Sequence, residues 1–282
     1  MIRKFENYNR LLGGNTNPAA RTLEEDGHAF LSGVFSQETI DALRDEISEV
    51  FRSVPPDLRD NCREPDRGAM FRYEMFNRSA RCQEILGRRE ILDAIEPVLG
   101  DDCHVVACTA WRNPPGTEHA PYGQEWHVDG GPHVVRPEGV PWPEEIPYPI
   151  FMVAAHVYLW PCGMANGPTA VIPGSHRSGR LPPHARRWDL DLTYEGKGGL
   201  AHVAEPGDVG FFVSDSWHRR LPPQEGSEGR YFLQINYGRR EIAQRILPCE
   251  RLNASNEAAR ARAGTLRQRQ LLGLHEQGFY DG

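Results

Sequence analysis

From Cys103 onward the hydrophobic period of the chain changes, and that change restricts the fold more than any other feature. The runs CHVVACTAWR (103–112), EWHVD (125–129), IFMVAAHVYLW (150–160), GPTAVI (167–172), GLAHV (199–203), DVGFFVS (208–214) and RYFLQINYG (230–238) are short and rich in β-branched and aromatic residues. Gly, Pro and Asn cluster between them, so each run reads as a strand bounded by turns. Seven or eight strands after a helical N-terminal part predict an antiparallel sandwich or jelly roll with helices packed on one sheet.

The N-terminal part sets up that helical layer. Residues 22–35 read as a short strand ending in a turn. A helix follows, with Ser36 as its N-cap and Ile40, Leu43, Ile47, Val50, Phe51 and Val54 on one face. Pro55-Pro56 ends it. A second helix is predicted over 88–99, with Ile91, Leu92, Ile95 and Leu99 apolar and Gly100 as its stop. Residues 257–274 read as a closing helix. No strong linker interrupts the chain. The expectation is therefore one domain over 1–282: a mainly helical layer (1–100), a jelly-roll core (101–240) and a C-terminal helical segment (241–282).

Composition narrows the class. The formal net charge is -7, which argues against a general nucleic-acid binder. No run is long and apolar enough for a membrane span, and the N-terminus lacks the apolar core of a secretory signal. None of the six cysteines forms a C-x-x-C pair. Reduced, buried thiols in a cytoplasmic protein are expected.

Two residues in the 125–129 run carry chemistry. His127 and Asp129 are i and i+2, so on a strand they point to the same side. His218 closes another apolar run downstream. Two imidazoles and one carboxylate form a facial triad suited to Fe(II), leaving positions open for a bidentate 2-oxo acid and for O2. Arg230 opens the next strand. A guanidinium pointing into the barrel would need an anion, and the distal carboxylate of a 2-oxo diacid supplies one.

The ordered strings EEDGHAFLSGVFSQETIDALRDEI, WHVD, NGPTAVIPGSHR and EPGDVGFFVSDSWH, followed by Arg230, resemble the phytanoyl-CoA dioxygenase family of Fe(II)/2-oxoglutarate oxygenases. The resemblance covers most of the chain. It implies a double-stranded β-helix, cupin-like, and an enzyme that uses Fe(II), 2-oxoglutarate and O2. His127, Asp129 and His218 match the iron ligands, and Arg230 matches the arginine that holds the 2-oxoglutarate side carboxylate. Gln124, Thr169 and His156 match further cofactor-binding positions, as does Thr109. Where some members carry a small hydroxyl residue two after the distal histidine, this chain has Arg220, either solvent-facing or making a second anion contact. His176, in PGSH, is expected to be a structural turn residue. Asp129 argues against halogenation, since related halogenases replace that carboxylate with a small residue.

The implied reaction is oxidation of a small-molecule C–H bond, most simply hydroxylation, in secondary-metabolite biosynthesis. Cyclisation and desaturation use the same cofactor chemistry. A non-catalytic metal-binding jelly roll is the competing reading. The Pro-rich stretch 130–149 is expected to be a lid or substrate wall. Trp111, Arg112, Tyr122, His133, Arg136 and Trp142 are expected near the mouth.

Overall fold

A computed structural model describes residues 17–53, 70–143, 146–244 and 255–276. Its centre is a six-stranded sheet in the order β1-β7-β4-β9-β3-β2. These strands are β1 (His28–Leu31), β2 (Phe71–Arg72), β3 (His104–Asn113), β4 (Met152–Tyr158), β7 (Val209–Val213) and β9 (Arg230–Gly238). A smaller sheet of β5 (Thr169–Val171), β6 (Leu200–Ala201) and β8 (His218–Arg220) has the order β6-β5-β8. All pairings are antiparallel. The protein is a mainly β double-stranded β-helix with flanking helices.

β9 shows how the sequence divides the molecule. Its alternate residues Tyr231, Leu233, Ile235 and Tyr237 join the large apolar core. The intervening Arg230, Phe232, Gln234 and Asn236 take the opposite face, because side chains alternate along a strand. That second face is the barrel interior. One row across the sheet runs Thr109, Gln234, His156, Gly210 and Phe30. Gly210 has a local reason: a Cβ there would lie 2.7 Å from the His202 ring.

Helices cover the apolar face. α2 (Gln37–Ser53) buries Ile40, Leu43, Ile47, Val50 and Phe51, the stripe expected from the 3.6-residue period. Each such side chain contributes about 2 kcal/mol by leaving water. Ser36 caps it through Thr39 N–H at 3.3 Å. Val54 and Pro55-Pro56 lie outside the described residues. α5 (Arg89–Leu99) buries Ile91, Leu92, Ile95 and Leu99, and Gly100 follows it.

Three local expectations are corrected. Residues 18–26 form α1 (Pro18–Asp26), and the strand begins only at His28. Asn17 accepts from Ala19 N at 2.9 Å and Ala20 N at 3.1 Å, with Pro18 at the first helical position, which is a helix start signal. EWHVD is not a ladder strand: His127 makes one isolated bridge to His218. The closing helix is two short ones, α6 (Glu257–Arg262) and α7 (Leu266–Leu271), because Thr265 and Gln268 form a capping box that restarts the helix. Between α5 and β3 the chain turns back into the sheet, and α3 (Met75–Arg78) and α4 (Ala80–Glu84) precede α5.

Cys82, Cys103, Cys108 and Cys162 are buried free thiols. Burial pushes the Cys82 thiol up to about 12. Cys62 and Cys249 lie outside the described residues. Among the described residues, no helix is long and apolar enough to cross a membrane.

Candidate active site

The site grows from the edge of the small sheet. His127 and His218 exchange both backbone hydrogen bonds, at 2.9 and 3.0 Å, which sets their side chains next to each other with ring centroids 4.3 Å apart. Asp129 N–H donates to Ser214 O at 3.1 Å, so the carboxylate follows two residues on. One ligand atom from each of His127, Asp129 and His218 falls within 4.8 Å of the others. Asp129 Oδ1 is 3.5 Å from His218 Nε2 and 3.9 Å from His127 Nε2.

Both imidazoles are oriented alike. Nδ1 of His127 donates to Glu125 O at 2.8 Å, and Nδ1 of His218 donates to Ser216 O at 2.9 Å. Each ring uses the carbonyl two residues upstream. That arrangement fixes the tautomer and leaves Nε2 with a free lone pair facing the carboxylate. Burial, and then the neighbouring His218, lower the His127 pKa to about 4, so the ring is neutral, the form that binds a metal. Gln234 Nε2 reaches the other Asp129 oxygen at 3.5 Å. Its own Oε1 accepts from Trp111 Nε1 at 2.9 Å. Nothing in the motif pointed to Gln234. Its place in the inward alternation of β9 could have.

Deeper in the interior lies Arg230, only 7 % exposed. Its Nε donates to Asn113 Oδ1 at 3.0 Å and Nη1 to Thr169 Oγ1 at 3.4 Å, and it lies over the Phe232 ring. No carboxylate pairs with it among the described residues. Burial lowers its pKa. His156 lies nearby, packed on Phe232 and Phe212, and neither ring nitrogen is hydrogen-bonded among the described residues. Burial first, then the Arg230 charge, hold its pKa well below the usual value. The buried Tyr158 hydroxyl also lacks a partner among the described residues. An uncompensated cation beside unsatisfied neutral donors and acceptors fits a small polar anion.

The sequence-predicted set therefore divides. His127, Asp129 and His218 meet. Thr169, Arg230 and His156 gather at the inner end, and Thr109 takes the same row as Gln234. Gln124 donates its backbone N–H to Arg220 O at 3.0 Å, but its side chain is exposed. Arg220 does not face solvent: it is 6 % exposed. Arg112 is turned away from the mouth and lies over Phe51 in the helical layer, one residue out of phase with inward Trp111. His176 is fully buried and its Nε2 donates to Glu24 O at 3.2 Å, outside the His127–Asp129–His218 cluster.

The stretch 130–149 has no helix or strand among its described residues. It is nevertheless held. The buried Asp215 carboxylate accepts from His133 N–H at 2.9 Å, from His133 Nδ1 at 2.5 Å and from Tyr148 Oη at 3.5 Å. The guanidinium of Arg136 lies 5.6 Å over the Trp142 ring, which packs on Tyr148.

The sequence profile described as Phytanoyl-CoA dioxygenase (PhyH) matches residues 23–220. The chain belongs to the phytanoyl-CoA dioxygenase family. Members of this family depend on Fe(II) and 2-oxoglutarate. No curated protein sequence matches the chain. Solved structures share the family fold at low identity. The epimerase SnoN, in complex with Fe3+, alpha ketoglutarate and nogalamycin RO, has a TM-score of 0.58 at 15% identity, covering 80% of this chain and 84% of its own. HygX from Streptomyces hygroscopicus, with nickel and 2-oxoglutarate bound, has a TM-score of 0.58 at 15% identity, covering 82% and 89%. EctD from S. alaskensis in its apoform has a TM-score of 0.58 at 19% identity, covering 81% and 79%.

Proposed function

We propose that this protein is a dioxygenase that couples oxidative decarboxylation of 2-oxoglutarate to oxidation of an unactivated C–H bond in a small molecule. Hydroxylation is the simplest outcome: substrate, 2-oxoglutarate and O2 give alcohol, succinate and CO2. The observation that carries the reading is the pair of tethered imidazoles and one carboxylate, with their ligand atoms within 4.8 Å of one another.

His127, Asp129 and His218 would hold Fe(II), leaving the opposite side open. When bound, iron and 2-oxoglutarate supply the activation of O2. The chain's own part is positioning. The carbonyls of Glu125 and Ser216 keep both Nδ1 protons in place, and Gln234 orients Asp129. Arg230 and Thr169 would anchor the far carboxylate of 2-oxoglutarate, and His156 would line the same space as a neutral ring. Phe212 and Phe232 exclude water beside them.

The Arg136–Trp142–Tyr148 stack and His133 give the loop beyond Asp129 a mixed aromatic and cationic character. Such a wall suits a functionalised natural product better than a long acyl chain. SnoN, whose structure holds nogalamycin RO, supports a place in secondary metabolism. The test is succinate release from 2-oxoglutarate with Fe(II), measured across a panel of functionalised cyclic metabolites. Substrate-stimulated succinate with a product heavier by one oxygen is expected. Stimulation with an unchanged product mass would replace hydroxylation by isomerisation. No stimulation by any substrate, together with iron retained by His127→Ala, would refute the enzyme reading.

A further inference from the structure

The inner end of the barrel holds two buried guanidiniums rather than one. On β8, His218 and Arg220 are i and i+2 and share the inward face. Arg219 between them points outward, donating to Trp188 O and Tyr122 O. Arg220 stands opposite Thr169 in the β5–β8 register, and the same Thr169 hydroxyl accepts from Arg230. The two cations thus flank one residue.

Their surroundings do not balance them. Arg220 is 6 % and Arg230 7 % exposed, and neither pairs with a carboxylate among the described residues. Arg230 has Asn113 and Thr169 as acceptors. Among the described residues the Arg220 guanidinium has no hydrogen-bond acceptor, and its Nε is fully buried. Of the other titratable groups at this end, burial raises the pKa values of Tyr158 and Cys162 and lowers that of His156, so none of them supplies a charge. Two desolvated like charges without a counter-ion are costly and call for an anion supplied from outside the chain.

We infer that Arg220 is the second arm of the co-substrate clamp. With Arg230 it holds the distal carboxylate of 2-oxoglutarate, and it selects dicarboxylate over monocarboxylate 2-oxo acids. The inference rests on the proposed use of 2-oxoglutarate at this site. A second cation on one carboxylate adds charge-assisted hydrogen bonds, which are the strong ones in a dry site. It also means that the empty clamp is strained by repulsion and relaxes when the anion arrives.

The test is calorimetric binding to the nickel-loaded protein of 2-oxoglutarate and of 2-oxopentanoate, which keeps the 2-oxo acid head but ends in a methyl group. Arg220→Met should weaken 2-oxoglutarate roughly 10- to 100-fold and leave 2-oxopentanoate unchanged. Arg220→Lys should retain part of the discrimination. Without ligand, Arg220→Met should melt at or above the wild-type temperature, because an uncompensated buried cation has been removed. Equal binding of 2-oxoglutarate by wild type and Arg220→Met overturns the inference. So does an equal loss of both ligands, which would mean that Arg220 only shapes the pocket, or a lower melting temperature for both variants without ligand. Wild-type protein that holds nickel but binds neither acid refutes 2-oxoglutarate dependence itself, a result distinct from the failure of Arg220.

Discussion

Asp215→Asn should release the loop that follows His127 and Asp129. Asp215 is 3 % exposed and accepts from both the backbone and the ring of His133. Ser214 and Tyr148 add weaker bonds at 3.2 and 3.5 Å. One carboxylate thereby ties the start and the end of the Pro-rich stretch to the turn just before His218. Packing there is close: a Cβ on Gly131 would fall 2.7 Å from Asp215 Oδ1. An asparagine keeps the shape but presents one NH2 where an oxygen had accepted. That loses one of the two short bonds and removes the charge from the other, costing about 2–4 kcal/mol. For a chain of this size the melting temperature should fall by about 4–16 °C if the loop unfolds with the core. If the loop opens alone, the melt changes little and cleavage by a glutamyl endopeptidase after exposed Glu138 rises, tenfold for each ~1.4 kcal/mol. An unchanged melt together with unchanged cleavage after Glu138 would refute the anchoring.

Other changes test the neighbouring contacts. His176 is fully buried, and burial lowers its pKa from 6.5 to about 4. Its stabilisation is therefore present above pH 6.5 and is lost as pH falls toward 4, about 2 kcal/mol of it by pH 5. Melting curves from pH 7 to 5 should be flatter for His176→Gln, and an identical slope would contradict the buried neutral ring. Gln234→Leu should weaken metal binding roughly 10- to 100-fold with the fold intact, because Asp129 loses its orienting amide. Unaltered affinity for Co(II) would remove Gln234 from that role. Gly27→Ala should cost about 2–4 kcal/mol in urea unfolding, from a left-handed backbone and an overpacked contact. Gly27 has φ +74, and a Cβ there meets His176 Nδ1 at 2.3 Å. A wild-type midpoint would show that this close approach does not exist.

Whereas β2, only two residues long, carries no such pattern, the long strands β3, β4, β7 and β9 were legible because turn residues separate them and they pack apolar residues on the helical face. α2 was legible for the same reason, its stripe matching the period of a helix with one buried side. Elements whose hydrogen bonds come from elsewhere were not. EWHVD reads as a strand because it alternates, yet Trp126 N–H goes to Arg187 O, and only His127 pairs with β8 as a bridge. α1 hid behind EEDGHAFL, although Asn17-Pro18 announced its start.

Spacing also explains the site. Residues two apart on an extended segment share a side whether or not a ladder forms, so the proximity of His127 and Asp129 needs no strand. Arg112 faces the helical layer because side chains alternate along β3 and its neighbour Trp111 faces inward. Gln234 follows from the alternation of β9 once Arg230 is placed inward, whereas the burial of Arg220 depends on how two sheets close over each other, which no local pattern records.

The most direct measurement is Fe(II) content and 2-oxoglutarate-dependent succinate formation in wild type, His127→Ala, Asp129→Ala and His218→Ala under one anaerobic loading protocol. Wild type should hold one iron per chain and form succinate on exposure to air. Each variant should lose tight iron and turnover while keeping the wild-type far-UV spectrum. Stoichiometric iron retained by all three folded variants would contradict the account.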